Sequence, residues 1–393
     1  MSSRRVVITG ADVVSCCGNG REAFFDGLIA PAPTERLREI PDYDLSPYFD
    51  RKEARRLDRH AQIALTAAIE ALASVDDLKG HDPSRVGTLI GTGVGGMRTF
   101  EEQVEVSLNK GPKRVSPFLI PMLMANCSSA QVSMRYGFTG PCETTVTACA
   151  ASNQSIGNAF NMIRWDRCDA MVTGGTESAL TTVGVAGFQN MTALSSEGIS
   201  RPFDADRDGF IAAEGAGIVI LEELEAAKRR GAPILAELLG YATSADAHHI
   251  TAPSPGGQGA IHCMQLALDD AGIAASDVTY VNAHGTSTPL NDAAEAMAID
   301  ALFGSPGPKV TSIKGVTGHA LGGAGALEAV SVVESMQRGV IPPTANTAAV
   351  DPELPPIDLV VGEPAAWTPG PAISNSFGFG GHNATLVLGP APA

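Results

Sequence analysis

The stretch TTVTACAASNQSIGNAFNMIR, residues 144–164, decides how the chain is built. Its first four residues, Thr144–Thr147, are β-branched and predict a strand; Ala148–Ser152 is a turn of small residues; a helix follows to Arg164. The same plan returns in KVTSIKGVTGHALGGAGALEAVSVVESMQR, residues 309–338, with a strand at Lys309–Ser312, small residues over Gly318–Gly325 and a helix ending near Arg338. Identity between the two stretches is too low to establish a duplication, but they read as two versions of one plan. Outward from them, further strands are predicted at Arg5–Thr9, Val86–Ile90, Ala170–Thr173 and Gly217–Leu221, then at Ile234–Leu239, Val278–Asn282, Ile357–Val361, Ala372–Asn375 and Ala384–Leu388. Ile63, Leu65, Ile69 and Leu72 recur at helical spacing and predict an amphipathic helix over Ala61–Ala73. Strands and helices interleave throughout, which predicts an α/β fold. Pro31–Pro47, with prolines at 31, 33, 41 and 47 and no periodicity, predicts a surface loop.

Composition excludes several classes. The 393 residues carry 43 Gly and 26 Pro with no repeating period, which rules out collagen-like and low-complexity chains. Lys and Arg number 27 against 43 acidic residues, a net charge of −16, the wrong sign for a nucleic-acid partner. Seven cysteines, at 16, 17, 127, 142, 149, 168 and 263, lack the spacing of a disulfide framework or zinc ribbon, so reduced thiols and a cytoplasmic location are expected. Apolar runs fall short of the roughly 18 residues that span a bilayer, and no membrane partner is expected. Arg4-Arg5 followed by Val6–Ile8 and Val13–Cys16 loosely mimics a lipoprotein leader, but Gly10 and Asp12 interrupt it and a first strand is the better reading.

Three patterns are declined. GTGVGG at 91–96 fits a dinucleotide fingerprint but begins deep in the chain, with no acidic residue closing a following strand. Asp204, Asp206, Asp208 and Gly209 open like a calcium loop, yet its twelfth position is Gly215; a structural turn is the alternative. His248, His249, His262 and Cys263 do not form two spaced ligand pairs, so no metal is expected.

Cys149 falls where a predicted strand gives way to a helix, and backbone N–H groups with the helix dipole would favour its thiolate there. Alone it reads more readily as a buried cysteine. His284, in NAHGTSTPLND (282–292), and His319, in KGVTGH (314–319), also stand at strand-to-loop transitions, where α/β sites gather. Either alone could be a satisfied buried side chain; with the cysteine they form a candidate catalytic set.

These motifs, with NSFGFGGHN (375–383), SRPFDADRDGF (200–210) and AEGAGIVILEEL (213–224), run in order over nearly the whole chain, which resembles the elongating β-ketoacyl-acyl carrier protein synthases. The resemblance implies a thiolase-like α/β fold, five αβαβα layers from two related halves, residues 1–240 with the nucleophile and 241–393 with both histidines. It implies that Cys149 takes an acyl chain and that a malonyl thioester then loses its carboxylate and condenses with it. Cys149 and Phe379 N–H groups would form the oxyanion hole, Phe379 on a mobile gate. His284 and His319 would donate to an enolate, with Lys314 close to His319 and Glu328 paired to Lys314. Thr286 and Thr288 would bind the pantetheine arm, and Val94 and Phe188 would line the acyl tunnel. Lys52, Arg55, Arg56, Lys113 and Arg114, with Arg51 and Arg59 nearby, match carrier-docking positions. No cofactor is implied, since substrates ride on the phosphopantetheine of acyl carrier protein. The expected assembly is a homodimer, or a heterodimer with a chain-length-factor-like subunit. Departures from the family pattern, Cys16-Cys17 in place of Pro-Leu and Thr192 in place of arginine, leave fatty acid and polyketide elongation both open.

Overall fold

Strands β1 (Val6–Ser15), β2 (Gly18–Asn19), β3 (Val86–Gly91), β4 (Cys142–Glu143), β5 (Ala170–Glu177) and β6 (Gly215–Glu223) precede a second series. That series is β7 (Ala236–Ala245), β8 (Tyr280–Asn282), β9 (Lys309–Thr311), β10 (Asp358–Leu359), β11 (Ala372–Gly378) and β12 (His382–Pro390). The computed structural model describes residues 4–41 and 43–392; Asp42 of the predicted 31–47 loop and the outermost ends of the two predicted halves lie outside them. The strands run β4-β3-β5-β6-β1-β7-β12-β11-β8-β9-β10, with β2 added to β1. Read outward from the β1–β7 seam, β1-β6-β5-β3-β4 pairs antiparallel, antiparallel, parallel, parallel. The other side, β7-β12-β11-β8-β9, repeats that order. Topology thus displays the duplication that sequence identity alone leaves open. The expected division after residue 240 falls inside β7, the strand that opens the second repeat.

Strand alternation sets the layers. Val219 and Leu221 of β6 face inward onto Ile156 and Phe160 of α3 (Ala151–Arg164) and Leu327 and Val330 of α6 (Ala324–Arg338), in one cluster with Leu238 and Leu386 of the other half. Their neighbours Ile218 and Ile220 face outward onto Ile63 and Leu72 of α2 (Arg59–Ala73). On the far side, Met264 and Leu268 of α4 (Gln258–Ala271) and Ile299 of α5 (Pro289–Phe303) cover Val281, Ile373 and Val387. The result is α2, sheet, α3 with α6, sheet, α4 with α5: the five-layered thiolase-like fold. A shorter helix, α1 (Arg21–Ile29), packs beside β2 and α6. Among the described residues no helix is long and apolar enough to cross a membrane.

One predicted strand is corrected. Thr144–Thr147 stays outside the ladder, which in this segment is confined to Cys142 and Glu143. Beyond them β3 turns away into the Gly91–Gly96 loop, leaving the Thr92 N–H to bond the Thr145 carbonyl at 3.1 Å. The turns β4–α3 and β9–α6 are equivalents in the two repeats, and both open at the carboxyl ends of their strands, where this architecture gathers functional groups.

Candidate active site

Cys149 lies in a one-turn 3₁₀ helix, Ala148–Ala150, that leads into α3. Ala148 has φ 49°, a left-handed conformation that an alanine holds only when its surroundings impose it. Leu321 (φ 43°), in the equivalent turn of the second repeat, and Ser287 (φ 68°), three residues past His284, share this conformation, so strained non-glycine backbone clusters around one cavity. The cavity, about 280 Å³, is lined by Cys149, His284, His319, Thr286, Thr288 and Phe379 among others. Cys149 Sγ and one ring nitrogen of each histidine lie within 4.8 Å of one another.

His319 Nε2 stands 3.0 Å from Cys149 Sγ. Backbone bonds fix the histidine: its N–H donates to the Ile211 carbonyl at 2.7 Å, and its carbonyl accepts from the Ala213 N–H at 3.1 Å. Its Nδ1 is buried without a hydrogen-bond partner, so neither neutral tautomer is locked. His284 is held differently. Its backbone N–H and that of Gly285 donate to Glu295 at 2.8 and 2.7 Å. Lys314 Nζ lies 3.3 Å from its Nδ1 and donates to its carbonyl at 2.6 Å. An ammonium can only donate, so Nδ1 accepts and the ring proton sits on Nε2, toward the cavity.

Lys314 is therefore placed against His284, not His319, which corrects the expected pairing. The reason lies in the repeat: Lys314 precedes His319 by more than a helical turn and reaches across to the neighbouring strand end instead. Glu328 is buried and ion-paired with Lys314, not on a solvated helix face. Burial pushes its carboxyl up to about 7 against the pull of the ammonium. Burial, then the Lys314 charge, holds both imidazoles well below the usual histidine range, so both are neutral donors or acceptors.

The resting nucleophile also departs from expectation. Burial raises the Cys149 thiol to about 12, opposed by Lys314 and by the Phe379 N–H that points at its sulfur. The helix terminus does not outweigh desolvation, and the group rests as a thiol beside an imidazole acceptor. Phe379 lines the cavity, one residue beyond Gly378. A Cβ built on Gly378 would meet the Thr147 carbonyl at 2.9 Å and the Cys149 nitrogen at 3.1 Å, so the gate strand and the nucleophile turn touch backbone to backbone.

Thr286 and Thr288 line the cavity, their hydroxyls hydrogen-bonded to each other at 2.9 Å. Val94 does not line it: the side chain is 45% exposed, because the Gly91–Gly96 loop turns inward through its backbone and Thr92, both bonded to buried Glu177. Phe188 is one ring removed, edge-on to Phe210 at 5.6 Å, which is itself edge-on to His319 at 5.2 Å. Lys52, Arg55, Arg56, Lys113 and Arg114 are exposed, and Arg56 stacks over Phe118 at 4.5 Å, drawing the two basic segments together. Arg59 turns inward instead and pairs with buried Glu214 at 2.6 Å.

Sequence reasoning missed three residues. Asp292 accepts the Thr286 and Ser287 N–H groups, and Glu295, on the same face of α5, accepts those of His284 and Gly285. The pair sits eight and eleven residues past His284 at helical spacing, a signal that was available. Glu177, which also accepts the Gly322 N–H, acts across a long sequence separation and leaves no local pattern.

The chain matches the family described as Beta-ketoacyl synthase, N-terminal domain, over residues 33–227 and Beta-ketoacyl synthase, C-terminal domain, over residues 235–348. It is 43% identical over 413 residues to a 3-oxoacyl-(acyl-carrier-protein) synthase 2 of Synechocystis sp., covering 99% of this chain and 98% of the relative. Among solved structures, the ishigamide ketosynthase/chain length factor superposes with a TM-score of 0.93 at 34% identity, covering 100% of each chain. A type II polyketide synthase acyl-carrier protein in complex with its ketosynthase, bound to the hexaketide, gives 0.89 at 30% identity, again over 100% of each.

Proposed function

The chain belongs to the β-ketoacyl synthase family, and on that premise we propose that it elongates fatty acids by decarboxylative Claisen condensation of a Cys149-bound acyl chain with malonyl-acyl carrier protein. It is an acyltransferase acting in the cytoplasm. The observation that carries the residue assignment is the convergence of a thiol and two neutral imidazoles within 4.8 Å in one cavity.

In the first half-reaction Cys149 Sγ attacks the acyl thioester carbonyl while its proton passes to His319 Nε2, 3.0 Å away, and on to the leaving phosphopantetheine sulfur. The Cys149 and Phe379 N–H groups bind the oxyanion. In the second, the malonyl carbon–carboxylate bond breaks, carbon dioxide leaves, and the electron pair settles on the thioester oxygen as an enolate. His284, its proton fixed on Nε2 by Lys314, donates to that oxygen; His319, with its unpartnered Nδ1, switches tautomer and donates beside it. The enolate carbon attacks the Cys149 thioester, the C–S bond breaks to release the Cys149 thiolate, and a proton taken up from water restores the thiol. Thr286 and Thr288 bind the pantetheine arm, and both substrates arrive on the phosphopantetheine of acyl carrier protein, so the scheme asks for no cofactor held by this chain. The basic patch around Arg56 and Lys113 receives the carrier.

A second reading has its own support. Likeness over the full chain to a ketosynthase/chain length factor, with Phe100, Val104 and Leu108 exposed four residues apart on helix Met97–Lys110, favours a ketosynthase subunit of a type II polyketide or polyene synthase that works beside a chain-length-factor-like chain. The test is to incubate the pure chain with medium-chain acyl carrier protein, look by intact mass for the adduct on Cys149, then add malonyl carrier protein. β-Ketoacyl product supports the first reading. An adduct without product supports the second, and acylation that persists in Cys149→Ala refutes both.

A further inference from the structure

The turn that closes β1 carries two side chains the condensation does not use. Val14 pairs with Asn19 and Ser15 with Gly18, so Cys16 and Cys17 are the two central residues of a hairpin turn. Ser15 Oγ lies 3.4 Å from Cys17 Sγ, and Cys16 Sγ donates to the Thr317 carbonyl at 3.6 Å, two residues before His319. Arg38, 2% exposed, closes the pocket: its Nε donates to the Val316 carbonyl at 3.2 Å, its Nη2 to that of Pro33 at 2.6 Å, and its charge acts on both sulfurs.

The two sulfurs are not equivalent. The neighbouring Cys16 thiol, with Ser15 and the Arg38 charge, holds the Cys17 thiol below the ordinary range against burial, while Cys16 is pushed up. Cys149 is the more deeply buried thiol and is pushed to about 12. Thiolate character and access govern oxidation, and both favour the turn over the nucleophile.

We propose that Cys16-Cys17 is a thiol-oxidation site at which a hydroperoxide forms a vicinal disulfide, and that this change reaches His319 through Thr317. Cys17 thiolate attacks the outer peroxide oxygen, giving a sulfenic acid and releasing alkoxide or hydroxide. Cys16 sulfur then attacks the sulfenic sulfur and gives up its proton, and the hydroxyl leaves as water. Two thiols are oxidised by two electrons and one peroxide is reduced to alcohol, or to a second water, so atoms and electrons balance. The disulfide removes the donor from the Thr317 carbonyl, beside Gly318, whose φ of 66° makes it the bend into His319.

The test treats the reduced, intact protein with hydrogen peroxide, maps thiols by peptide mass spectrometry and follows iodoacetamide alkylation of Cys149. The expected result is loss of two hydrogens from the 16–17 peptide before Cys149 gains oxygen. The Cys149 alkylation rate should shift severalfold and return with dithiothreitol. C17S alone, and C16S/C17S, should alkylate at the reduced wild-type rate and no longer respond to peroxide. Oxidation of Cys149 first, or a 16–17 disulfide with an unchanged alkylation rate, overturns the proposal. Neither readout uses condensation, so failure here is distinct from failure of the proposed reaction.

Discussion

An ammonium buried beside an imidazole does two things at once: it disfavours the imidazolium, and it fixes which ring nitrogen keeps the proton. Lys314 does both to His284 and the first to His319, while Glu328 supplies the counter-charge that lets the ammonium stay buried. The histidines should therefore separate under mutation. In His284→Ala, self-acylation should stay near wild type while condensation falls about 10²–10³-fold, the usual effect of losing one pre-organised donor. His319→Ala should slow both steps, because its Nε2 also faces the thiol. Stopped-flow acylation followed by single-turnover condensation distinguishes them; equal loss of both steps in His284→Ala would show that Lys314 does not confine this residue to the enolate. Because both rings are held well below the usual range, the condensation rate should show no histidine limb near pH 6.5, and such a limb in the pH profile would mean that at least one ring is charged in the working enzyme.

The catalytic parts sit on turns that the repeat makes equivalent, and the turns hold one another. Gly378 of β11 lies on the backbone of the Ala148–Ala150 turn, close enough that a methyl group would meet the Thr147 carbonyl at 2.9 Å. Gly378→Ala should displace the Phe379 N–H from the sulfur while leaving the sheet intact. Acylation should fall about tenfold or more, since an oxyanion donor is lost, with little change in melting temperature by circular dichroism. A large drop in melting temperature with unchanged chemistry would reverse that assignment. At this scale it is also plain what the sequence discloses. β6 is legible as a continuous apolar run buried on both faces and α2 because its apolar residues recur at helical period, and Cys149, His284 and His319 because small residues and strand ends surround them. Thr144–Thr147 misleads because β-branched residues look alike in a ladder and in an extended crossover. Glu177 and the contact of Lys314 with His284 escape because their partners lie across the repeat, where neither spacing nor periodicity reaches. Val94 was placed by likeness to relatives, and here its loop faces inward through Thr92 and backbone instead.

The whole molecule carries a net charge of −16 and must receive a partner on a local cationic patch. Arg56→Glu with Lys113→Glu should raise KM for carrier-borne acyl substrate severalfold, less so as salt is added, and leave turnover of a small free thioester unchanged; equal loss on both substrates would remove these residues from docking. Protons act on the fold through other groups. Glu222 is fully buried, and Arg230, His81 and Thr9 hold its carboxyl down at about 2. Its folded pKa lies below the unfolded value of about 4.5, so its stabilisation, about 3 kcal/mol by linkage, is complete above pH 4.5 and drains away as pH falls toward 2. Glu295 and Glu328 run the other way. Burial raises both to about 7, so the folded state binds their protons more tightly, and that contribution is complete below pH 4.5 and lost as pH rises through 7. From these groups stability should therefore peak near pH 4.5 and decline on both sides, levelling off above about pH 7. Urea midpoints measured from pH 3 to 9 test this shape. Glu222→Gln should flatten the acid limb alone and Glu295→Gln the alkaline limb alone, and an acid limb that survives Glu222→Gln unchanged would assign acid unfolding to other carboxylates, Asp169 between Arg85 and Arg4 foremost among them.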